Sequence, residues 1–225
     1  MRKKTIIPVV HATSIEHGMR NIDVALFAGA KKIALINQYF FDCVEFEQFI
    51  IKAITRYSDV RFVVNWLGVS LNNMANFLSK EGLKADIWED RTNFRESFDI
   101  KTKTIGCVYG GYNFKYQKKD EFSFDEVRTW KLNSVGLFDF VLTLSGNKTG
   151  SPIKLDLLKL YNEQWRLNEE NNKIAVASGI TANNLETYLP FANDFFVGTS
   201  IEDTEYNINY KSLNELIKLA DDWSI

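Results

Sequence analysis

Two short clusters of small residues stand at the ends of apolar runs near the end of the sequence. Ser178 and Gly179 follow the run 174–177, and Gly198, Thr199 and Ser200 follow the run 195–197. Glycine lacks a Cβ atom, so its backbone N–H can come close to an anion. Consecutive amides that face one way bind anions, and hydroxyl groups add neutral donors. This chemistry predicts a phosphate-binding site, although both clusters would also suit plain tight turns.

A third cluster, the segment 145–152 with the sequence SGNKTGSP, follows another apolar run. Its glycine spacing and the residues after its lysine do not fit the Walker A pattern of nucleotide-binding loops. We expect Ser145 and Gly146 to bind phosphate and Lys148 to neutralise part of its charge. A solvated turn that carries an ordinary surface lysine is the alternative.

Three ionisable residues near the ends of other apolar runs are the candidates for catalysis: His11, Asp90 (with Glu89 beside it) and Lys115. An imidazole titrates near neutral pH, which makes His11 the first candidate for acid–base chemistry. Asp90 would serve as a general base or a metal ligand. The structural alternatives are a histidine that bonds a neighbouring loop and an acid that simply follows a strand.

Asn37 and Asn65 hold equivalent positions at the ends of two successive runs. Paired amides there would suit hydrogen bonds to sugar hydroxyls or to a base edge, and they would equally suit loop anchors. His17 falls early in a predicted helix, so we expect it at the surface. Cys107 is expected to be a buried strand cysteine rather than a nucleophile.

The elements that must position these residues are strands and helices in alternation. Eight runs are nearly continuous in apolar residues, which is typical of parallel strands covered on both faces. These runs are 6–11, 32–37, 61–67, 85–88, 104–109, 139–144, 173–177 and 194–197. The segments between them carry helix-start signals. These are Ser14, Asp42, Ser70, Ser123 with Glu126, Pro152, Thr181 and Ser212 with Glu215.

Eight strand–helix units without a linker predict one domain over residues 1–225, a closed (β/α)8 TIM barrel, with an open doubly wound sheet as the alternative. In such a barrel the working face lies at the C-terminal ends of the strands, and phosphate commonly sits after strands seven and eight. Ser178 to Gly179 and Gly198 to Ser200 occupy those two loops. We expect a helix near Thr181 or Thr204 to add its positive end. The polar segments 91–103 and 113–125 are predicted to be loops.

The bulk composition excludes several function classes. The 225 residues carry a net charge of −2, so the chain lacks the excess of basic residues that is typical of nucleic-acid-binding proteins. No apolar run is long enough to span a membrane. Two distant cysteines build neither a disulfide framework nor a zinc site, which favours a cytoplasmic location. The sequence shows no dinucleotide fingerprint, and we predict neither a metal nor a cofactor. An exposed Trp223 would suit a homodimer surface.

The segment 141–201 resembles the BtpA/SgcQ family of (β/α)8 barrels. The matching residues are Ser145-Gly146, Thr149-Gly150, Pro152, Ser178-Gly179-Ile180-Thr181, Asn184, Asn193-Asp194 and Val197-Gly198-Thr199-Ser200, with a looser match at Pro8 and His11. This resemblance implies a barrel with a phosphate-binding end, of the kind found in sugar and nucleotide metabolism. The chain departs from the family where Ile36-Asn37 replaces Glu-Asn and where the fifth strand carries no acid, so that only Lys115 stands for the family's lysine.

These observations predict a protein that binds a phosphorylated small molecule, either a sugar phosphate or a nucleotide or ribosyl phosphate. An enzyme of the isomerase, lyase or phosphoribosyl-transfer type is the first hypothesis. The alternative is a binding or assembly protein that keeps the phosphate site without turnover, which the missing acids favour.

Overall fold

The computed structural model describes residues 3–37, 42–98, 105–115, 117–118, 121–167 and 172–223. Its eight strands pair in parallel and in sequence order, and β8 pairs with β1 to close the barrel. The strands are β1 Thr5–His11, β2 Lys32–Ile36, β3 Arg61–Asn65, β4 Ala85–Glu89, β5 Ile105–Gly111, β6 Asp139–Ser145, β7 Lys173–Ala177 and β8 Asp194–Val197. The predicted TIM barrel is therefore confirmed, and the open sheet is wrong.

Helices cover the outside of the barrel. They are α1 Ile15–Phe27, α2 Cys43–Arg56, α3 Leu71–Lys80, α4 Phe124–Asn133, α5 Leu155–Arg166, α6 Leu185–Tyr188 and α7 Tyr210–Trp223. In the described part of the β4–β5 connection, residues 90–98, the chain forms turns and no helix, as its polar sequence predicts. The rest of the predicted loop 91–103 lies outside the described residues.

The strands are apolar on both faces because each face packs against a different core. Side chains such as Ile7, Val63 and Phe196 fill the inside of the barrel. Neighbouring residues on the same strands, such as Ile6 and Phe195, pack against the helices. Cys107 belongs to the interior, is 4% exposed and has a raised pKa because of its burial, which agrees with a structural cysteine.

Four of the predicted helix starts are correct, because the predicted residue is the N-cap of the helix in each case. Ser14, Asp42, Ser70 and Ser123 each accept a hydrogen bond from the amide three residues later, and Ser123 forms the full capping box with Glu126. Such bonds satisfy amides that the helix itself leaves unpaired.

Three other helix starts are wrong. Ser212 lies inside α7, and its amide is bonded by Asn209. Pro152 lies before α5, which begins at Leu155, because the proline packs against another loop. No helix begins near Thr204, where the segment 202–208 makes a turn closed by a bridge between Glu202 and Ile208.

Candidate functional site

A cavity of about 310 Å³ opens at the C-terminal mouth, the end of the barrel where the strands finish. Eight of the predicted site residues line it: His11, Asp90, Lys115, Ser178, Gly179, Gly198, Thr199 and Ser200. The five others do not line it: Asn37, Asn65, Ser145, Gly146 and Lys148. The structure therefore brings the two loops after β7 and β8 together with all three candidate catalytic groups.

The two loops after β7 and β8 present unpaired backbone donors to this cavity. Among the described protein atoms, no acceptor is bonded to the amides of Gly179, Ile180, Thr199 or Ser200, all of which line the cavity. The buried hydroxyl of Ser200 also lacks a partner. A buried donor without a partner costs about 1–3 kcal/mol, which applies to the Ser200 hydroxyl. Of the four residues with unpaired amides, Ile180 is buried, Gly179 and Ser200 are half-buried and Thr199 is exposed, so these two loops are a candidate anion-binding site.

Packing explains the glycines of these loops. A Cβ atom at Gly179 would lie 2.1 Å from the Pro152 nitrogen, and the residue has a φ of +72°, which favours glycine. A Cβ atom at Gly198 would lie 2.8 Å from Cε1 of His11. The first glycine thus lets two loops touch, and the second makes room for the imidazole ring.

The Ser178 side chain fixes a neighbouring loop. Its hydroxyl accepts a hydrogen bond from the Gly150 amide at 2.9 Å and donates to the Lys148 carbonyl at 3.4 Å. Its φ of 89° is unusual for a residue with a side chain and costs roughly 1–3 kcal/mol. Strain of this kind is concentrated at functional sites.

The cluster 145–152 supports the mouth from the outside. A Cβ atom at Gly146 would lie 2.1 Å from the Ser151 carbonyl oxygen, so this glycine allows close packing. The Ser145 hydroxyl accepts a hydrogen bond from the Lys115 amide at 3.0 Å. With Lys148, these residues line a separate outer cavity of about 1040 Å³.

His11 is paired with an acid that the sequence did not suggest. Its Nδ1 lies 2.9 Å from each carboxylate oxygen of Glu202, whose side chain is 4% exposed. A carboxylate only accepts hydrogen bonds, so Nδ1 carries the proton, and in the neutral ring Nε2 carries the lone pair. The pair meets because β8 closes on β1, which places the loop after β8 beside the end of the first strand.

His17 is buried, with 6% exposure, and the surface position expected for it is wrong. Its Nδ1 accepts a hydrogen bond from the Thr13 amide at 3.2 Å, and its Nε2 lies 3.1 Å from Oδ1 of Asn207. Asn21, one turn further along α1, donates to the Tyr206 carbonyl and accepts from the Ile208 amide. Helix α1 thus holds the turn 202–208, which carries Glu202.

Asp90 has an environment that suits proton transfer. It is 8% exposed, and burial raises its pKa to about 6, against the opposing effects of Lys115 and of a hydrogen bond from Asn65. The Asn65 amide donates to Oδ1 of Asp90 at 3.2 Å. A carboxyl group with a pKa near the working pH exchanges protons efficiently.

The remaining predicted side chains bond the protein itself. Asn37 accepts a hydrogen bond from the Leu67 amide at 2.7 Å, which is the loop-anchor alternative. Glu89 points away from the cavity and accepts a bond from the Leu71 amide at the start of α3. Its burial raises its pKa to about 7.

Among the described residues, no group of three or more His, Cys, Asp or Glu side chains is placed to hold a metal ion. Within the same part of the chain, no helix has both the length and the apolar character needed to cross a bilayer.

The fold defines a (β/α)8 barrel with a cavity at its C-terminal mouth. The chain is similar to the native KDPGal structure, with 11% identity, a TM-score of 0.71, and coverage of 99% of this chain and 98% of that chain. It is similar to the tryptophan synthase alpha chain from Legionella pneumophila subsp. pneumophila, with 14% identity, a TM-score of 0.69, and coverage of 98% and 92%.

A third similar structure is (S)-3-O-geranylgeranylglyceryl phosphate synthase from Thermoplasma acidophilum, in complex with its substrate sn-glycerol-1-phosphate. The identity is 12%, the TM-score is 0.63, and the coverage is 98% of this chain and 94% of that chain. At these identities the likeness shows the fold alone. No family model matches the sequence, so the BtpA/SgcQ resemblance stays a prediction from its motifs. No curated protein matches it either.

Proposed function

We propose that the C-terminal mouth binds the phosphate group of a small phosphorylated molecule. One observation carries this proposal: two pairs of unpaired amides, at Gly179-Ile180 and at Thr199-Ser200, line the same cavity. Backbone amides bind oxyanions without needing a full positive charge, because several N–H dipoles converge on the ligand. Lys115, which lines the same cavity, supplies a cation.

The groups around the proposed phosphate site support proton transfer on the bound molecule. His11, oriented by Glu202, offers Nε2 as a base, and Asp90 offers a carboxyl group with a pKa of about 6. Two proton-exchanging groups on different strands suit an isomerase or a lyase, which moves a proton between two positions of its substrate. We therefore propose an enzyme of one of these classes, acting on a phosphorylated substrate.

Isothermal titration calorimetry with inorganic phosphate and with glycerol 3-phosphate tests the site. Thr199→Asp places a carboxylate on the exposed residue of the second amide pair, and we expect it to weaken binding by about 100-fold because like charges repel. The matched control is Thr55→Asp, on the exposed surface of α2, which should leave the dissociation constant unchanged. Equal binding by both variants would contradict the phosphate site.

His11→Ala separates binding from chemistry. The imidazole lies against Gly198 and not among the unpaired amides, so phosphate binding should change by less than about three-fold. Turnover of any ligand that binds should fall by about 100-fold or more, since general acid–base groups contribute that much. Ligands that bind the wild type without any turnover would favour a binding protein over an enzyme.

A further inference from the structure

We infer that the ligand of the C-terminal mouth carries a flat, apolar ring beside its phosphate group, rather than a polyhydroxylated sugar. This inference rests on the proposed phosphate site and names the class of molecule that fits the rest of the cavity.

Aromatic side chains form the floor of the cavity. The rings of Trp88 and Phe196 stack with centroids 4.3 Å apart and an interplanar angle of 28°. Phe114 meets Trp88 edge-on at 6.2 Å. All three rings line the cavity and are at least nine-tenths buried, so they present a rigid apolar surface. Aromatic rings favour stacked or edge-to-face partners, which a planar ring supplies.

Aliphatic side chains continue the apolar surface around this floor. Val9, Ile36, Leu67, Ile180 and Val197 also line the cavity. Burying an apolar ring among such groups is favourable by roughly 25 cal/mol for each Å² removed from water. The same contact is unfavourable for hydroxyl groups, which lose their hydrogen bonds to water and gain none.

The two asparagines predicted to bind sugar hydroxyls lie elsewhere. Asn65 donates its amide to Asp90, Asn37 bonds the Leu67 amide, and neither lines the cavity. Beyond the phosphate loops, the polar side chains that line it are His11, Asp90, Lys115 and Thr149, and Lys115 already donates to the Thr149 hydroxyl at 3.3 Å. These few groups suit a ligand with few polar substituents better than a polyhydroxylated sugar.

The volume limits the size of the ligand. A cavity of about 310 Å³ lies at the lower end of the range for small-molecule sites, which run from about 300 to 1,000 Å³. A phosphate group and a single ring match this volume, whereas a dinucleotide exceeds it.

Calorimetry on the wild-type protein with two phosphate monoesters tests the inference. Phenyl phosphate presents a flat apolar ring, and glycerol 3-phosphate presents hydroxyls on the same phosphate. We expect phenyl phosphate to bind about 10-fold more tightly or better, the scale of one filled apolar pocket. Equal or tighter binding of glycerol 3-phosphate would overturn the inference and leave the phosphate site intact. If neither ester binds, the phosphate site itself fails and the inference falls with it.

Two variants test whether the aromatic and aliphatic lining of the cavity causes the preference for phenyl phosphate. Trp88→Leu removes a stacking surface, and Leu67→Ser adds a polar group at a lining residue that is 37% exposed, so we expect it to fold as the wild type does. Each should reduce the preference for phenyl phosphate by about three-fold or more and leave the affinity for glycerol 3-phosphate unchanged. A preference that survives in a folded sample of either variant would place the ring elsewhere and contradict the inference.

Discussion

The cavities at the two ends of the barrel differ in the number of basic side chains that line them. At the N-terminal mouth, where the strands begin, a cavity of about 530 Å³ is lined by six basic side chains: Lys3, Lys31, Lys32, Arg61, Lys131 and Lys173. At the C-terminal mouth, Lys115 is the lysine that lines the cavity, and unpaired amides supply the donors. Charge density alone would thus favour the N-terminal mouth, whereas the proposed phosphate site lies at the other end.

Two of the basic side chains at the N-terminal mouth, Lys32 and Arg61, share one buried acid. Arg61 and Lys32 both bind the buried Asp86, at 2.8 and 3.0 Å. Lys32 also donates to the Tyr109 hydroxyl at 2.7 Å, which in turn donates to Asp194 at 2.8 Å. A network in which each member has a partner stabilises the fold and leaves little capacity for a ligand.

The largest expected effect breaks this network. The Asp86 carboxylate is 1% exposed and binds both Lys32 and Arg61, and Asp86→Ala removes it. Breaking a buried pair by removing one member costs about 3–5 kcal/mol, because the other charge stays buried alone. Urea denaturation measures the loss. Asp139→Ala is the control, since this exposed acid lines the same cavity, and it should change stability by less than about 0.5 kcal/mol. Similar losses in both variants would show that the network is not stabilising.

The next effect concerns the glycine at the opposite mouth. Gly179→Ala forces a Cβ atom to within 2.1 Å of the Pro152 nitrogen at a φ of +72°, so we expect a loss of about 3 kcal/mol. Gly150→Ala shares the positive φ, at +76°, but meets nothing within 4 Å, and should lose about 1 kcal/mol. Thermal denaturation of the two variants separates packing from backbone strain. Equal losses would mean that the contact with Pro152 is not tight in solution.

A third prediction concerns pH. Burial raises the pKa of Glu89 from 4.5 to about 7, so the folded state prefers the protonated acid. The stability from this preference is complete below about pH 4.5 and is lost as the pH rises through about 7. Glu89→Gln keeps an acceptor for the Leu71 amide and removes the charge, so the variant should gain about 1–3 kcal/mol on the wild type between pH 4 and pH 8. Melting temperatures across this range provide the measurement, and parallel curves for the two proteins would disprove it.

The smallest effects compare lysines at the two mouths. Lys173→Ala, at the N-terminal mouth, should leave phosphate affinity within about two-fold of the wild type, because solvent and salt screen its charge. Lys115→Ala, at the C-terminal mouth, should weaken binding by about 5-fold to 10-fold through the loss of a nearby cation. Calorimetry at matched salt concentration gives both values. An equal weakening would mean that phosphate binds at both ends.

The strands could be predicted because their signal is local. β7 and β8 have the bounds that the sequence predicts, and the other strands differ by only a few residues, since a run apolar on both faces identifies a buried parallel strand. Caps such as Ser14 are local as well. Pro152 shows the limit of such patterns: its position depends on contact with Gly179 in another loop, which no local pattern records.

Part of the candidate site could also be predicted, because barrel geometry assigns the loops after strands seven and eight to phosphate. The partners of the catalytic candidates could not. Glu202 lies 191 residues from His11 in the sequence. The sequence pattern also does not show that the Asn65 amide donates to Asp90 instead of to a substrate. One signal was available for Glu202, since a closed barrel places the segment after the last strand beside the end of the first.

The pairing of β8 with β1 also sets the order in which the C-terminal mouth is assembled. His11 is synthesised 191 residues before Glu202, so the two side chains meet only after the strands between them have been made. Until then the imidazole has no carboxylate to orient it, and the second amide pair, Thr199-Ser200, does not yet exist. The pairing that closes the barrel therefore also completes the proposed site.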